Sequence, residues 1–392
     1  MEKAASRAYL DHNASAPLLP AARQAMLDAL DLTANPSSVH SEGRAARKII
    51  EQARRDIAAL VGTRHDHVVF TSGATEAAST LLTPDWQMGR AALRMSQLYV
   101  CEADHPCLLS GGRFPVSQVT RFGVDGNGIL DLEALTQALD RHDKAEGLPL
   151  VAIHAANNET GVIQPLAAIG AAVKAAGGVL IADAAQAAGR IVLDLADGGI
   201  DFLILSAHKM GGPKGIGAFV GASDLMMPRP LVTGGGQERG FRAGTENLAA
   251  IAGFGAAAKE SAVQLGQVEQ LRTLRDRLED AVLALAPDAT IFGRQVERLA
   301  NTTFFAIPGV KSETAQIAFD LAGVSLSAGS ACSSGKVGPS HVLKAMGYDN
   351  ADGALRVSIG RMTTEADLAL FKAALSSILA RSAERTKAAC AA

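Results

Sequence analysis

The chain has 392 residues, 48% hydrophobic and 20% charged, with a formal net charge of −3 at pH 7; this is a globular balance at a length that suits two cores. No basic tract interleaved with aromatics occurs, which argues against nucleic acid or a membrane surface as the main ligand, and no apolar run reaches the roughly 20 residues of a membrane helix. Four cysteines, Cys101, Cys107, Cys332 and Cys390, make neither a disulfide framework nor a CxxC metal motif, and the first residues lack the apolar core of a signal peptide, so a cytoplasmic location is expected.

Pro17 and Pro20 keep the first 20 residues extended, and Pro20 stands at the first turn of a helix. Residues 41–62 are amphipathic, with Ile49, Ile50, Ala53, Ile57 and Leu60 at helical spacing and Gly62 as a cap. Short apolar strands follow at 67–71 and 97–101. The stretch between them, 81–97, is short and atypical. A turn at 125–128 leads into a helix capped by Asp131. A strand from 150, a helix over 165–176 and a strand over 178–183 come next, and a further strand over 201–206 runs into His208 and Lys209. This alternation predicts an α/β domain over 20–255 with a mainly parallel sheet, and ligands gather at the carboxyl ends of such strands. A long charged helix over 256–286 leads away. Strands near 301–307 and 355–359 and helices at 312–322, 340–346 and 364–383 then form a smaller α+β domain, made of 1–19 and 256–392.

The polar residues at the predicted strand ends are the ones that carry chemistry. Ser206-Ala-His-Lys209 precedes a glycine-rich turn, and a lysine in such surroundings can form a Schiff base with a carbonyl. Asp183 ends the preceding strand, one strand–helix–strand unit away, where an acid could sit beside a pyridine nitrogen. Thr71-Ser-Gly-Ala-Thr-Glu76 follows a strand and opens a helix, so its backbone N–H groups suit an anion such as a phosphate, although no Walker motif is present. Singly each feature has a plain alternative: a solvated lysine, a helix-capping acid, a capped helix. Together they point to pyridoxal 5'-phosphate.

At this point the sequence supports a family resemblance. Thr71-Ser-Gly-Ala-Thr-Glu, Asn157-Asn-Glu-Thr-Gly, Asp183-Ala-Ala-Gln, Ser206-Ala-His-Lys, Gly234-Gly-Gly-Gln-Glu-Arg-Gly, Arg242-Ala-Gly-Thr, Ser327-Ala-Gly-Ser-Ala-Cys-Ser-Ser and Leu355-Arg-Val-Ser-Ile-Gly-Arg occur in order from Tyr9 to Thr364. The set resembles the cysteine desulfurases of the NifS/IscS type, in the class-V aminotransferase group. The resemblance implies fold type I of the pyridoxal-phosphate enzymes: a large domain with a mainly parallel seven-stranded sheet and a smaller α+β domain.

It also implies roles. Lys209 would carry the cofactor and shuttle protons, Asp183 would pair with the pyridine nitrogen, and His105 would stack on the ring and assist acid–base steps. Gln186 and Asn158 would bond the phenolic oxygen, with Asn158 also near the substrate carboxylate. Ala74, Thr75, Ser206 and His208 would hold the phosphate, and Thr245 would reach the phosphate of a neighbouring subunit in a homodimer. Arg356 would fork onto the carboxylate of L-cysteine. Cys332, in a Ser/Gly-rich segment, would take the substrate sulfur as a persulfide and pass it to an acceptor such as an iron–sulfur scaffold protein. No metal is implied. Asn13-Ala-Ser-Ala, Ala77-Ala-Ser-Thr and the 81–97 stretch depart from the common family pattern, as does the short tail, which leaves the acceptor open. Another class-V enzyme, an aminotransferase or selenocysteine lyase, would not need Cys332; a non-catalytic scaffold would not need Lys209 and Asp183.

Overall fold

The computed structural model describes residues 7–329, 340–349 and 352–390. Five strands, Val119–Phe122, Ala91–Cys101, Leu148–His154, Val179–Asp183 and Phe202–Ser206, lie parallel and adjacent in that order. Gly217–Gly221 runs antiparallel beside the last, and Val68–Thr71 closes the edge antiparallel to it. These seven strands are the mainly parallel sheet expected from the sequence. Every residue of Val179–Asp183 and Phe202–Ser206 is buried, because helices cover both faces of the sheet. Successive residues therefore feed different cores: Leu180 joins Ile57 and Phe254 on one face, and Ile181 joins Trp86 and Phe219 on the other.

The 81–97 stretch holds strands not expected from the sequence. Asp85–Met88 turns back through Gly89, at φ +59°, onto the first residues of Ala91–Cys101, and Met226–Pro228 pairs on its outer side. The sheet thus reaches nine strands. The 11-residue strand Ala91–Cys101 pairs with this hairpin at its start and with the parallel strands at its end.

Helices Pro20–Leu30 and Ser41–Leu60 both pack on Leu248–Gln264. The approach to Ser41–Leu60 is close enough that a Cβ on Gly255 would lie 2.6 Å from Ala53 Cα. The single helix expected over 256–286 is two helices, Leu248–Gln264 and Val268–Leu285, separated by a 3₁₀ turn at Leu265–Gln267. The first stays on the large sheet through Ile251, Phe254 and Ala257. The second directs Leu278 and Val282 into a separate core with Phe305, Phe319 and Phe371.

That second core lies against an antiparallel sheet ordered Thr290–Ile291, Thr302–Ala306, Leu355–Ser358, Ser327–Ala328. Helices Ser312–Leu321 and Glu365–Cys390 pack beside it, with the rings of Phe319 and Phe371 stacked at 5.3 Å. Strand Ala8–Tyr9 joins this part of the molecule by pairing in parallel with Val324–Ser325. On the large sheet, the loop that carries Thr245 is held by Glu238, a buried residue at φ 45°. Its carboxylate accepts from Arg54 Nη1 and from the Phe70 N–H, each at 2.8 Å.

Candidate active site

Three parallel strands end on residues of chemical interest: His154, Asp183 and Ser206. Together with the start of helix Ala74–Leu81 and residues 14–15 of the amino-terminal segment, they surround a cavity of about 500 Å³. Ala74, Thr75, His105, Asn158, Asp183, Gln186, Ser206, His208 and Lys209 all line it. Thr245 is exposed on its own loop, away from this lining, and Cys332 lies outside the described residues.

Asp183 is 7% exposed. Its Oδ1 accepts from the Ala185 N–H at 2.9 Å, and its Oδ2 faces the Cys107 thiol at 3.9 Å. Burial raises its carboxyl above the usual range, opposed by the Ala185 N–H and by His105. A buried acid to which no cationic side chain is bonded among the described residues is a fitting partner for a pyridinium N–H. The same desolvation pushes the Cys107 thiol up, with Asp183 adding to it.

His105 caps the short helix Pro106–Leu109, its Nδ1 accepting from the Cys107 N–H at 3.2 Å. Burial lowers its pKa, Asp183 opposes this, and Lys209 adds to the lowering. Behind it Asp104 is fully buried. Its Oδ2 accepts from the Cys101 N–H at 2.7 Å, and its Oδ1 accepts from the His154 N–H at 2.8 Å and lies 2.5 Å from His154 Nδ1. Gln164 Nε2 donates to Gly128 O and stands 3.0 Å from His154 Nε2, so Nε2 is the accepting ring nitrogen and Nδ1 the donor. Cys101, Asp104 and His154 cluster closely enough for ligands of one ion, but their polar atoms are turned on one another.

The anion cradle is the start of helix Ala74–Leu81, where the first N–H groups have no carbonyl one turn earlier in the helix. Thr71 Oγ1 donates to Gly73 O, the Ser72 N–H donates to Glu76 Oε2, and Arg242 Nε donates to Glu76 Oε1 at 3.1 Å. Gly217 lets this turn sit against the sheet, since a Cβ there would fall 2.7 Å from the Gly73 backbone. Burial, reinforced by Lys209 and Lys214, lowers the His208 imidazole to about 4, so it is neutral at physiological pH.

The floor is set by Asn13, which is 0% exposed. Its carbonyl accepts from Lys209 Nζ at 2.6 Å and from Gln186 Nε2 at 2.9 Å, and Lys209 Nζ also donates to Ala14 O at 3.1 Å. Asn13 Nδ2 donates to Thr302 Oγ1 at 2.9 Å, and its N–H donates to Ser358 Oγ at 2.9 Å, which joins the floor to the small sheet. Arg356 does not line the cavity. It lies behind Asn158, is 2% exposed, and donates through Nη1 to Asn158 O and through Nη2 to Asp11 Oδ1 at 2.8 Å and Ser327 Oγ. Its Nε is buried with no hydrogen-bond partner among the described residues. Beyond Asn158, Glu159 is buried and accepts from Ser340 Oγ at 2.5 Å. Burial raises its carboxyl to about 7, against the Ser340 bond and the charge of Arg356.

Cys107, His154 and Arg190, which donates to Asn13 Oδ1, carry no motif in the sequence, and Asn13 stands there only in a stretch that departs from the family pattern. Each acts on a partner from another element, and only the fold shows the pairing.

The aminotransferase class-V family matches residues 8–371. A cysteine desulfurase of Trichormus azollae is 38% identical over 371 residues, which is 92% of this chain and 90% of that protein. The solved structure of a NifS-like protein from Rickettsia africae superposes with a TM-score of 0.85 at 30% identity, covering 95% of this chain and 99% of that one. A structure described as SspA in complex with cysteine matches with a TM-score of 0.72 at 28% identity, covering 90% and 98%.

Proposed function

The chain belongs to the aminotransferase class-V family, and on that premise we propose that it is a cysteine desulfurase, dependent on pyridoxal phosphate, which takes the sulfur of L-cysteine onto Cys332 and releases L-alanine. The observation that carries this reading is the meeting of Lys209, the buried acid Asp183 and an open helix N-terminus in one cavity. The donor set fits the cofactor. Asp183 offers a carboxylate to a pyridinium, Ala74, Thr75, Ser206 and His208 surround the anion cradle, and Gln186 and Asn158 stand for the phenolic oxygen. When bound, pyridoxal phosphate supplies an electron sink for the charge that develops at the substrate Cα.

The chain's own residues do the rest. Lys209, held by the Asn13 and Ala14 carbonyls, would carry the cofactor, and its amine, once displaced by the amine of L-cysteine, would take the Cα proton. His105, its pKa lowered by burial, faces the cavity as an acid–base group. Arg356 receives the substrate carboxylate by exchanging it for Asp11, with Asn158 beside it. The Cys332 thiolate forms an S–S bond to the substrate sulfur as the Cβ–S bond breaks. The thiol becomes a persulfide, and Cβ, once protonated, becomes the methyl group of alanine.

Thr245, exposed on its loop, serves the phosphate of a second copy in a homodimer. The persulfide sulfur passes to an acceptor protein such as an iron–sulfur scaffold. No helix among the described residues is long and apolar enough to cross a membrane, and we place the enzyme in the cytoplasm.

Cys332→Ala tests the reading. The variant is expected to keep the visible absorption of the loaded protein and to change that absorption on adding L-cysteine, while sulfide and alanine release are abolished. Sulfide release equal to that of the unmodified protein would overturn the assignment.

A further inference from the structure

Arg190 has no place in the scheme above, yet it is built into the cavity floor. Its Nη1 donates to Gln186 Oε1 at 2.5 Å and to Asn13 Oδ1 at 2.9 Å, and its Nη2 donates to Lys209 O at 3.0 Å. Among the described residues no carboxylate pairs with it. The charged and titratable groups that feel it are Arg356, from the small sheet, and His12, from the amino-terminal segment. A half-buried guanidinium without a carboxylate partner among the described residues spends its hydrogen bonds on neutral acceptors, and those bonds are where a purpose should be sought.

The amide of Gln186 shows that purpose. A guanidinium only donates, and a main-chain carbonyl only accepts. Arg190 on one side and Asn13 O on the other therefore force a single orientation: Oε1 toward Arg190 and the NH₂ toward Asn13. No flipped amide satisfies both partners. One Nε2 hydrogen is used on Asn13 O, and the second remains to donate. We propose that Arg190 is a positioning residue that locks Gln186 as a hydrogen-bond donor, never an acceptor, to the phenolic oxygen of the cofactor, and so sets the electronic state of that cofactor. This rests on the reading of the cavity given above.

A donor on the phenolic oxygen stabilises its negative charge, and the neighbouring nitrogen that links Lys209 to the cofactor then holds its proton less tightly. The test is a pH titration of the visible absorption band of the full-length, cofactor-loaded protein, compared with Arg190→Met, Arg190→Lys, Gln186→Leu and the double variant R190M/Q186L. Arg190→Met is expected to raise the midpoint by roughly one unit, within the range for a lost neighbouring charge or donor. Gln186→Leu should raise it too. Arg190→Lys, which keeps a charge but lacks the planar fork, should raise it less.

The double variant decides the route. If Arg190 acts by aiming Gln186, adding R190M to Q186L shifts the midpoint little further. Full additivity would mean a bare charge effect and would overturn the proposal, as would an unchanged midpoint in R190M and R190K. Should R190M fail to fold by circular dichroism, the same comparison is made by adding R190K to the unmodified protein and to Q186L, where additivity again overturns the proposal. If the unmodified protein gains no visible band with added pyridoxal phosphate, the cofactor reading falls and this inference with it; a band with an unmoved midpoint sinks the inference alone.

Discussion

Glu159 holds a proton that its surroundings cannot easily give up. Burial lifts its carboxyl from the ordinary 4.5 to about 7, so the folded chain binds that proton more tightly than the unfolded chain does. The sign follows. Below about 4.5 both states are protonated and nothing is lost. Between about 4.5 and about 7 only the unfolded state ionises, and stability falls as the pH rises. Above that window the loss levels off, at no more than on the order of 3 kcal/mol. Glu159→Gln should therefore unfold with a smaller decrease in stability between pH 5 and pH 8, read from urea denaturation at both values. An equal decrease in the variant would show that Glu159 titrates normally. At this scale the sequence was legible where one residue sits beside a recognisable turn: Asp183 ends a strand, and Lys209 follows three residues after another, that can be read from apolar runs. It held no sign of the partners of Asn13, Cys107, His154 and Arg190. Arg190 meets Asn13 across 177 positions and His154 meets Asp104 across 50, and no local pattern records either meeting.

Helix Leu248–Gln264 shows how packing reverses a local preference. Replacing a mid-helix glycine by alanine normally stabilises a helix by about 1 kcal/mol. At Gly255 the added Cβ would come within 2.6 Å of Ala53 Cα in the facing helix, and main chain cannot swing aside as a flexible side chain can. Gly255→Ala is therefore expected to destabilise the protein by roughly 1–3 kcal/mol, measured by thermal or chemical unfolding. A stabilised variant would mean that the two helices lie farther apart. The amphipathic periodicity of 41–62 and the strand at 178–183 were readable because one residue period dominates each. The break at Leu265–Gln267 was not, since charged and apolar residues continue at helical spacing on both sides and only the change of core separates the two helices. The hairpin at Asp85–Met88 was missed for another reason: its strand is short and half exposed, and its partner Met226–Pro228 lies far along the chain.

The molecule as a whole consists of a large sheet with a core on each face and a small sheet with a core of its own, and the amino-terminal segment bonds to both sheets. Asn13 bonds Lys209 and Gln186 on the large sheet and Thr302 and Ser358 on the small one. The cavity floor is thus shared by parts of the chain that fold around different cores. The mainly parallel sheet could be read from the alternation of strands and helices, because each βαβ unit is local. The closure of the small sheet could not, because its strands come from stretches far apart in the chain.

The pairing of Ala8–Tyr9 with Val324–Ser325 has a consequence for the order in which the protein is made. A ribosome releases the first strand long before the strand it pairs with exists, so those residues must wait, unpaired, while the whole large sheet emerges and closes. The small core is then completed by a segment that has been present from the start, and only then does Asn13 gain Thr302 and Ser358 beside Lys209 and Gln186. In pulsed hydrogen exchange during refolding, amides of Val179–Asp183 should become protected before those of Leu355–Ser358; simultaneous protection would contradict this order. A protein assembled this way joins its cofactor floor to the small sheet last.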